Sequence, residues 1–215
     1  MKTFKNFGKS LGTAVLFTIA CLVICSFIYP LALTGVSQLT MPVQANGNLI
    51  DENGNPTNDE SKAVGSALVG QAFTEPCYFQ GRVSSINYNT YTEEEKENGD
   101  YAGVSSGSFN YGNSNPDLKA RVEEDLAAFL ESHPDLKAED IPSDLLTASG
   151  SGLDPDISPE AAEIQIPTVA KNSGLSEDQV KDIVAKNTNH KVLGVFGQER
   201  VNVLRCNLDI YNAMK

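Results

Sequence analysis

The sequence predicts an α+β protein: a single N-terminal transmembrane helix followed by one extracytoplasmic domain. Three observations carry that prediction. Residues 11–33 are an apolar run, the basic residues near it lie on its N-terminal side alone, and strand-like segments, helices and a last strand follow in that order. The chain has 215 residues, enough for one domain and an appendage. Its 16 Lys and Arg stand against 28 Asp and Glu, a net charge of −12. Such a chain is unsuited to nucleic acid, whose phosphates are held by Lys and Arg. Apolar residues make up 40%, too many for a disordered tail. Four Cys and two His exclude a disulfide-dense miniprotein and leave little for zinc.

The span comes first. Lys2, Lys5 and Lys9 are the only charged residues before Asp51. Residues 11–33 would form roughly 34 Å of helix, enough to cross a bilayer core. Tyr29 suits the headgroup region, and Pro30 is tolerated where the helix finishes. A cleaved signal peptide fits less well, because Pro30 stands where a small residue should precede Ala32. Thr18-Ile19-Ala20-Cys21 imitates a lipoprotein signal, but the apolar run continues past Cys21. Positive charge stays inside, so residues 1–10 are expected in the cytoplasm, 11–33 in the membrane and the rest outside. Residues 34–63, rich in Asn and Gly, read as a tether, and residues 64–215 as the soluble α+β domain.

Within that domain, residues 67–73 read as a short buried strand and residues 78–83 as another strand or its edge. Residues 87–115 read as a long surface loop, with Glu93, Glu94 and Glu95 solvated on it. A helix then starts at Pro116, capped by Asn115, with Leu118, Val122, Leu126 and Phe129 on one face; His133-Pro134 ends it. A second starts after Ser158 and ends before Gly174, with Pro167 set to kink or split it. A third has Ser176 and Gln179 as a capping box, with Leu175 and Val180 spaced as a staple. Residues 200–205 alternate as a strand, and residues 208–214 read as a last short helix.

The densest motif is Ser149-Gly150-Ser151-Gly152-Leu153-Asp154, followed by Pro155 and Asp156. Small hydroxyl residues and glycines before a helix start can cradle an anion on backbone N–H groups, and Asp154 with Asp156 can offer oxygens to a cation. The competing reading is a tight turn in which Asp154 satisfies nearby backbone groups. No Lys lies inside the motif, which separates it from a nucleotide-hydrolase phosphate loop. His133 and His190 sit in no catalytic motif, and no carboxylate pair stands out for hydrolase chemistry. Cys77 and Cys206 share the exported domain, where a bridge would persist, but sequence does not set the distance between them.

Gly65-Ser66-Ala67-Leu68-Val69-Gly70-Gln71, Tyr78-Phe79-Gln80-Gly81-Arg82, Ser114-Asn115-Pro116 and the Thr147-to-Asp154 motif appear in order, followed by Ile157-Ser158-Pro159, Gln165-Ile166-Pro167 and Arg200-Val201-Asn202-Val203-Leu204 with Asn207-Leu208. The whole chain resembles the KdpC family, the C chain of the bacterial potassium-transporting KdpFABC ATPase. Departures are Val83 for a usual Pro, Asp156 for a frequent His, Cys206 for an aliphatic residue, an altered Phe109-Asn110-Tyr111-Gly112 run and a longer segment at 87–104. The resemblance implies an accessory chain of a high-affinity potassium uptake pump, not an enzyme by itself; the Asp-Lys-Thr-Gly phosphorylation motif of such pumps is missing from this sequence. It implies three partners: a channel-like potassium-selective chain, a P-type ATPase chain and a small membrane chain. It also implies a catalytic chaperone that raises the pump chain's affinity for ATP, with Gln165 as the nucleotide contact and no firmly bound cofactor. The charge pattern places Gln165 outside, away from cytoplasmic ATP. The alternative is a free-standing anchored binding module that shares only the fold.

Overall fold

The computed structural model describes residues 2–99 and 105–215. Met1 of the expected N-terminal flank and residues 100–104 of the expected surface loop lie outside the described residues. The chain divides into two compact units, Met1–Asn48 and Leu49–Lys215.

The first unit is helical. α1 (Lys2–Val23) passes through a π-helical turn (Ile24–Ile28) into α2 (Tyr29–Thr40), and a short α3 (Pro42–Ala45) follows. Ser10–Thr40 is long and apolar enough to cross a membrane, and none of it is buried within the protein. The helix therefore runs past residues 11–33 and does not finish at Pro30. Proline has no N–H for the carbonyl one turn back, and the π turn just before it, closed by Tyr29 N–H on Ile24 O, absorbs that mismatch. Near the end, Ser37 Oγ donates to Leu33 O at 2.6 Å and Thr40 Oγ1 to Val36 O at 2.8 Å, so both hydroxyls are satisfied on the helix itself. The backbone leaves the helix at Met41.

The second unit holds two small antiparallel sheets among helices. β1 (Leu49–Asp51) pairs with β2 (Ala63–Ser66), Ile50 opposite Gly65. The expected tether at 34–63 is thus the end of α2, α3 and most of this hairpin. β3 (Asp156–Ile157), β5 (Arg200–Asn202) and β4 (Thr188–Asn189) form the second sheet in that order. The helices are α4 (Glu93–Glu97), α5 (Pro116–Ser132), α6 (Ser143–Leu146), α7 (Pro159–Glu163), α8 (Ile166–Ser173), α9 (Glu177–Lys186) and α10 (Val203–Ala213).

The caps behave as the sequence predicts. Asn115 accepts from Asp117 N at the start of α5. Ser176 and Gln179 bond reciprocally at α9, and Leu175 and Val180 both pack in the core. Pro167 separates α7 from α8, and Gly174 closes α8 in the left-handed region at φ 76°. Phe79, Phe129, Ile157, Ile166, Val201 and Ile210 anchor the buried core.

Four local expectations are corrected. Residues 67–73 are irregular, and the strand lies just before them at β2. Residues 78–83 belong to no sheet, because side chains occupy their backbone groups, as described below. The strand at 200–205 stops at Asn202, whose side chain accepts from Arg205 N and starts α10 three residues in; the last helix therefore begins at Val203 and not at 208. Glu93, Glu94 and Glu95 lie on α4, for which Thr92 and Glu95 make a capping box.

Candidate functional site

Two knots of side chains hold the irregular segment 67–89 in place, one built on Gln165 and Asn207 and the other on the 149–154 turn.

The first knot is built from carboxamides. Gln165 sits in the break between α7 and α8 and is fully buried. Its Oε1 accepts from Gln80 N at 2.8 Å, and its Nε2 donates to Gln80 O at 3.3 Å and to Ala161 O at 3.0 Å. Asn207, in α10, treats the preceding residue the same way: its Oδ1 accepts from Phe79 N at 2.8 Å and its Nδ2 donates to Phe79 O at 2.9 Å. Successive backbone units are thus paired by two side-chain amides in place of a neighbouring strand. This is why an extended, apolar stretch at 78–83 joins no sheet. Both Nε2 protons of Gln165 are engaged.

The second knot is the motif turn. Ser149 Oγ accepts from Ser151 N, Ser151 Oγ from Leu153 N, Ser151 O from Asp154 N, and Asp154 Oδ1 from Asp156 N. Those four N–H groups are spent on bonds within the turn. Gly150 is exposed, with open space where a Cβ would stand. Gly152 is different. Ile86 Cγ1 would lie 2.5 Å from a Cβ there, and Gly152 O accepts from Ser84 Oγ at 2.6 Å. Leu153 O accepts from Gly70 N at 2.9 Å.

Arg82 clamps this turn. Its guanidinium reaches Asp154 Oδ2 at 3.2 Å, Asp144 O at 3.3 Å and Thr147 O at 3.3 Å. Tyr88 wedges in behind it. Asn87, Tyr88 and Asn89 all have positive φ, near 50°, a strained geometry that turns the Tyr88 ring inward. The Tyr88 hydroxyl donates to Arg82 O at 2.6 Å, and burial pushes its pKa up to about 12. A Cβ on Gly70 would stand 2.4 Å from Asp154 O and 2.5 Å from Tyr88 Cε1, so glycine is required there. Sequence reading missed the roles of Arg82 and Tyr88. Arg82 had one signal, being the lone Lys or Arg between Lys62 and Lys96.

A cleft of about 430 Å³ lies beside the turn, lined by Arg82, Asp144, Asp154, Asp156, Ser158 and Arg200 among others. Its charges are mutually engaged. Arg200 Nε is 2.9 Å from Asp156 Oδ2, and Asp144 accepts from Ser158 N and Oγ. Burial raises the Asp156 pKa, against the pull of Asn202 and Arg200. No cluster of three His, Cys, Asp or Glu suited to a metal occurs among the described residues.

The remaining candidates lie elsewhere. His133 is buried with its ring stacked on Phe129 at 4.2 Å, and its Nδ1 faces Phe129 O at 3.1 Å. Burial lowers its pKa, so it is a neutral packing residue. Cys206 is buried with its pKa raised by desolvation, Cys77 is half-buried, and both thiols are free.

The described residues thus comprise a helix long and apolar enough to cross a membrane and a compact α+β unit braced by side-chain knots. Comparison with known proteins makes the class specific. Residues 11–212 match the family model for KdpC, the c chain of the K+-transporting ATPase. Potassium-transporting ATPase KdpC subunits of Clostridium kluyveri and Clostridioides difficile are each 53% identical, over 95% and 94% of this chain and 94% and 96% of theirs. The Bacillus cereus subunit is 42% identical over 95% of this chain and 96% of its own. The chain belongs to the KdpC family.

Proposed function

We propose that this chain is the accessory, non-catalytic subunit of a K+-transporting P-type ATPase complex. In this reading Ser10–Thr40 anchors it, and the unit Leu49–Lys215 stabilises the assembly from outside the membrane. Its partners are the channel-like potassium-selective chain, the P-type chain and the small membrane chain. The observation that carries the reading is near-full-length similarity to proteins named as KdpC subunits of potassium-transporting ATPases. Lys2, Lys5 and Lys9 before the span, with no charge from Ser10 to Ile50, support a cytoplasmic N-terminus.

Promotion of ATP use then acts through contact with the P-type chain and not through nucleotide bound to Gln165. A nucleotide at Gln165 would have to displace Gln80 and open a fully buried side chain. Leaving the Gln80 amide unpaired costs about 1–3 kcal/mol for each buried group. The test is co-expression of this chain, tagged at its C-terminus, with the other chains of the complex. All chains are expected to co-elute in mild detergent with K+-stimulated ATPase activity. Elution of this chain alone, with the others active without it, would reject the proposal.

A further inference from the structure

His133 is a buried titratable side chain at the end of α5. It is 3% exposed, and its ring stacks on Phe129 with centroids 4.2 Å apart and planes 7° from parallel. Nδ1 lies 3.1 Å from Phe129 O and 2.9 Å from Ser132 Oγ, so a proton on Nδ1 has an acceptor. Nε2 has no hydrogen-bond partner among the described residues. Ser132 carries the contact onward. Its Oγ donates to Phe129 O at 2.9 Å and accepts from Gln80 Nε2 at 3.4 Å. The Gln80 backbone is the one that Gln165 pairs. A histidine, a serine and two carboxamides thus form one continuous polar chain from the end of α5 to the break between α7 and α8.

That chain is uncharged. The groups facing the ring are the Phe129 carbonyl and Ser132 from its own helix, with Gln80 of the segment 78–83 behind Ser132. Glu131, Asp135 and Lys137, its charged neighbours in sequence, are exposed. Among the described residues, no carboxylate, ammonium or guanidinium of any other element bears on its charge. A cation at a helix C-terminus is ordinarily favoured, but this ring is folded back on Phe129 and shielded from water. A second proton, on Nε2, would put an unpaired charge inside the domain. Burial holds the ring neutral below the ordinary histidine value of 6.5 that the unfolded chain keeps. Stabilisation by the neutral ring is therefore complete above that value and declines as the pH falls below it. We propose that His133 is an acid-sensitive catch: once protonated, its ring leaves the Phe129 face for solvent, Ser132 turns away from Gln80, and the segment 78–83 loosens from Gln165. This device belongs to the domain itself and stands apart from the subunit reading; with the domain outside, the acid it senses is that of the external medium.

The test is amide hydrogen exchange on the full chain in detergent at about pH 7.5 and about pH 5.5, corrected for the pH dependence of free amides. Exchange at the Phe79 and Gln80 N–H groups, which Asn207 and Gln165 hold, should speed by about five- to tenfold at the lower pH. His133→Phe keeps a stacked ring that cannot titrate, and its change should stay under about twofold. His190→Gln removes the other imidazole of the chain and should behave like the unaltered protein. Histidine-ring NMR of the unaltered chain, assigned with His190→Gln, reads the same step without any change at His133. There the His133 ring is expected to gain its proton together with the loss of amide protection. Protection that does not change with pH, a change of equal size in His133→Phe, or a His133 ring that takes its proton while both amides stay protected overturns the inference.

Discussion

At Gln165 one carboxamide joins two segments 85 residues apart in sequence. It does for Gln80 what a neighbouring strand would do, accepting from its N–H and donating to its C=O. The residue resemblance marks for nucleotide contact is therefore part of the internal frame of the domain. Gln165→Ala should leave the Gln80 backbone unpaired and lower stability by about 3 kcal/mol, measured by denaturant titration of the full chain in detergent. Loss of ATP stimulation in that variant with unchanged stability would instead point to direct nucleotide binding. Asn207 makes the companion pair with Phe79, and its double role was not legible in sequence, since nothing local in Asn207-Leu208 says which backbone the amide will meet.

Among the elements, those with chemistry inside one segment were legible and those completed from a distance were not. α5, α8 and α9 are announced by Asn115, Pro167 and Ser176 with Gln179, because a cap and its helix are neighbours in sequence. Residues 67–73 and 78–83 misled, because they read as strands while their partners are Gln165 between α7 and α8, Asn207 in α10 and the 149–154 turn. Gly70 and Gly152 were visible in the sequence; the reason for them was not. Gly70 makes the point, since only the folded structure sets it against Asp154 O and the Tyr88 ring. Gly70→Ala should push the turn and the Tyr88 ring apart and destabilise the chain by about 1–3 kcal/mol. Thermal melting checks this, with Gly150→Ala, at an open position, expected to have a much smaller effect. Equal losses in the two variants would contradict the brace described here.

For the whole molecule, composition already separates the membrane helix from the acidic domain. Three Lys precede the span, and the domain that follows is strongly acidic. The helix proved longer than the apolar run suggested, because Ser37 and Thr40 bond to their own helix and extend it without charge. What links the two units functionally is the side of the membrane on which the domain lies. Outside, the buried Gln165, paired with the Gln80 backbone, fits a subunit that does not itself bind nucleotide there. Inside, cytoplasmic ATP would be within reach, and a nucleotide role would return. The deciding measurement is a protease-cleavable tag placed after Lys215 and tested in intact cells stripped of their wall barrier. The account predicts that external protease removes the tag without detergent. Protection until detergent is added would place the domain in the cytoplasm and contradict it.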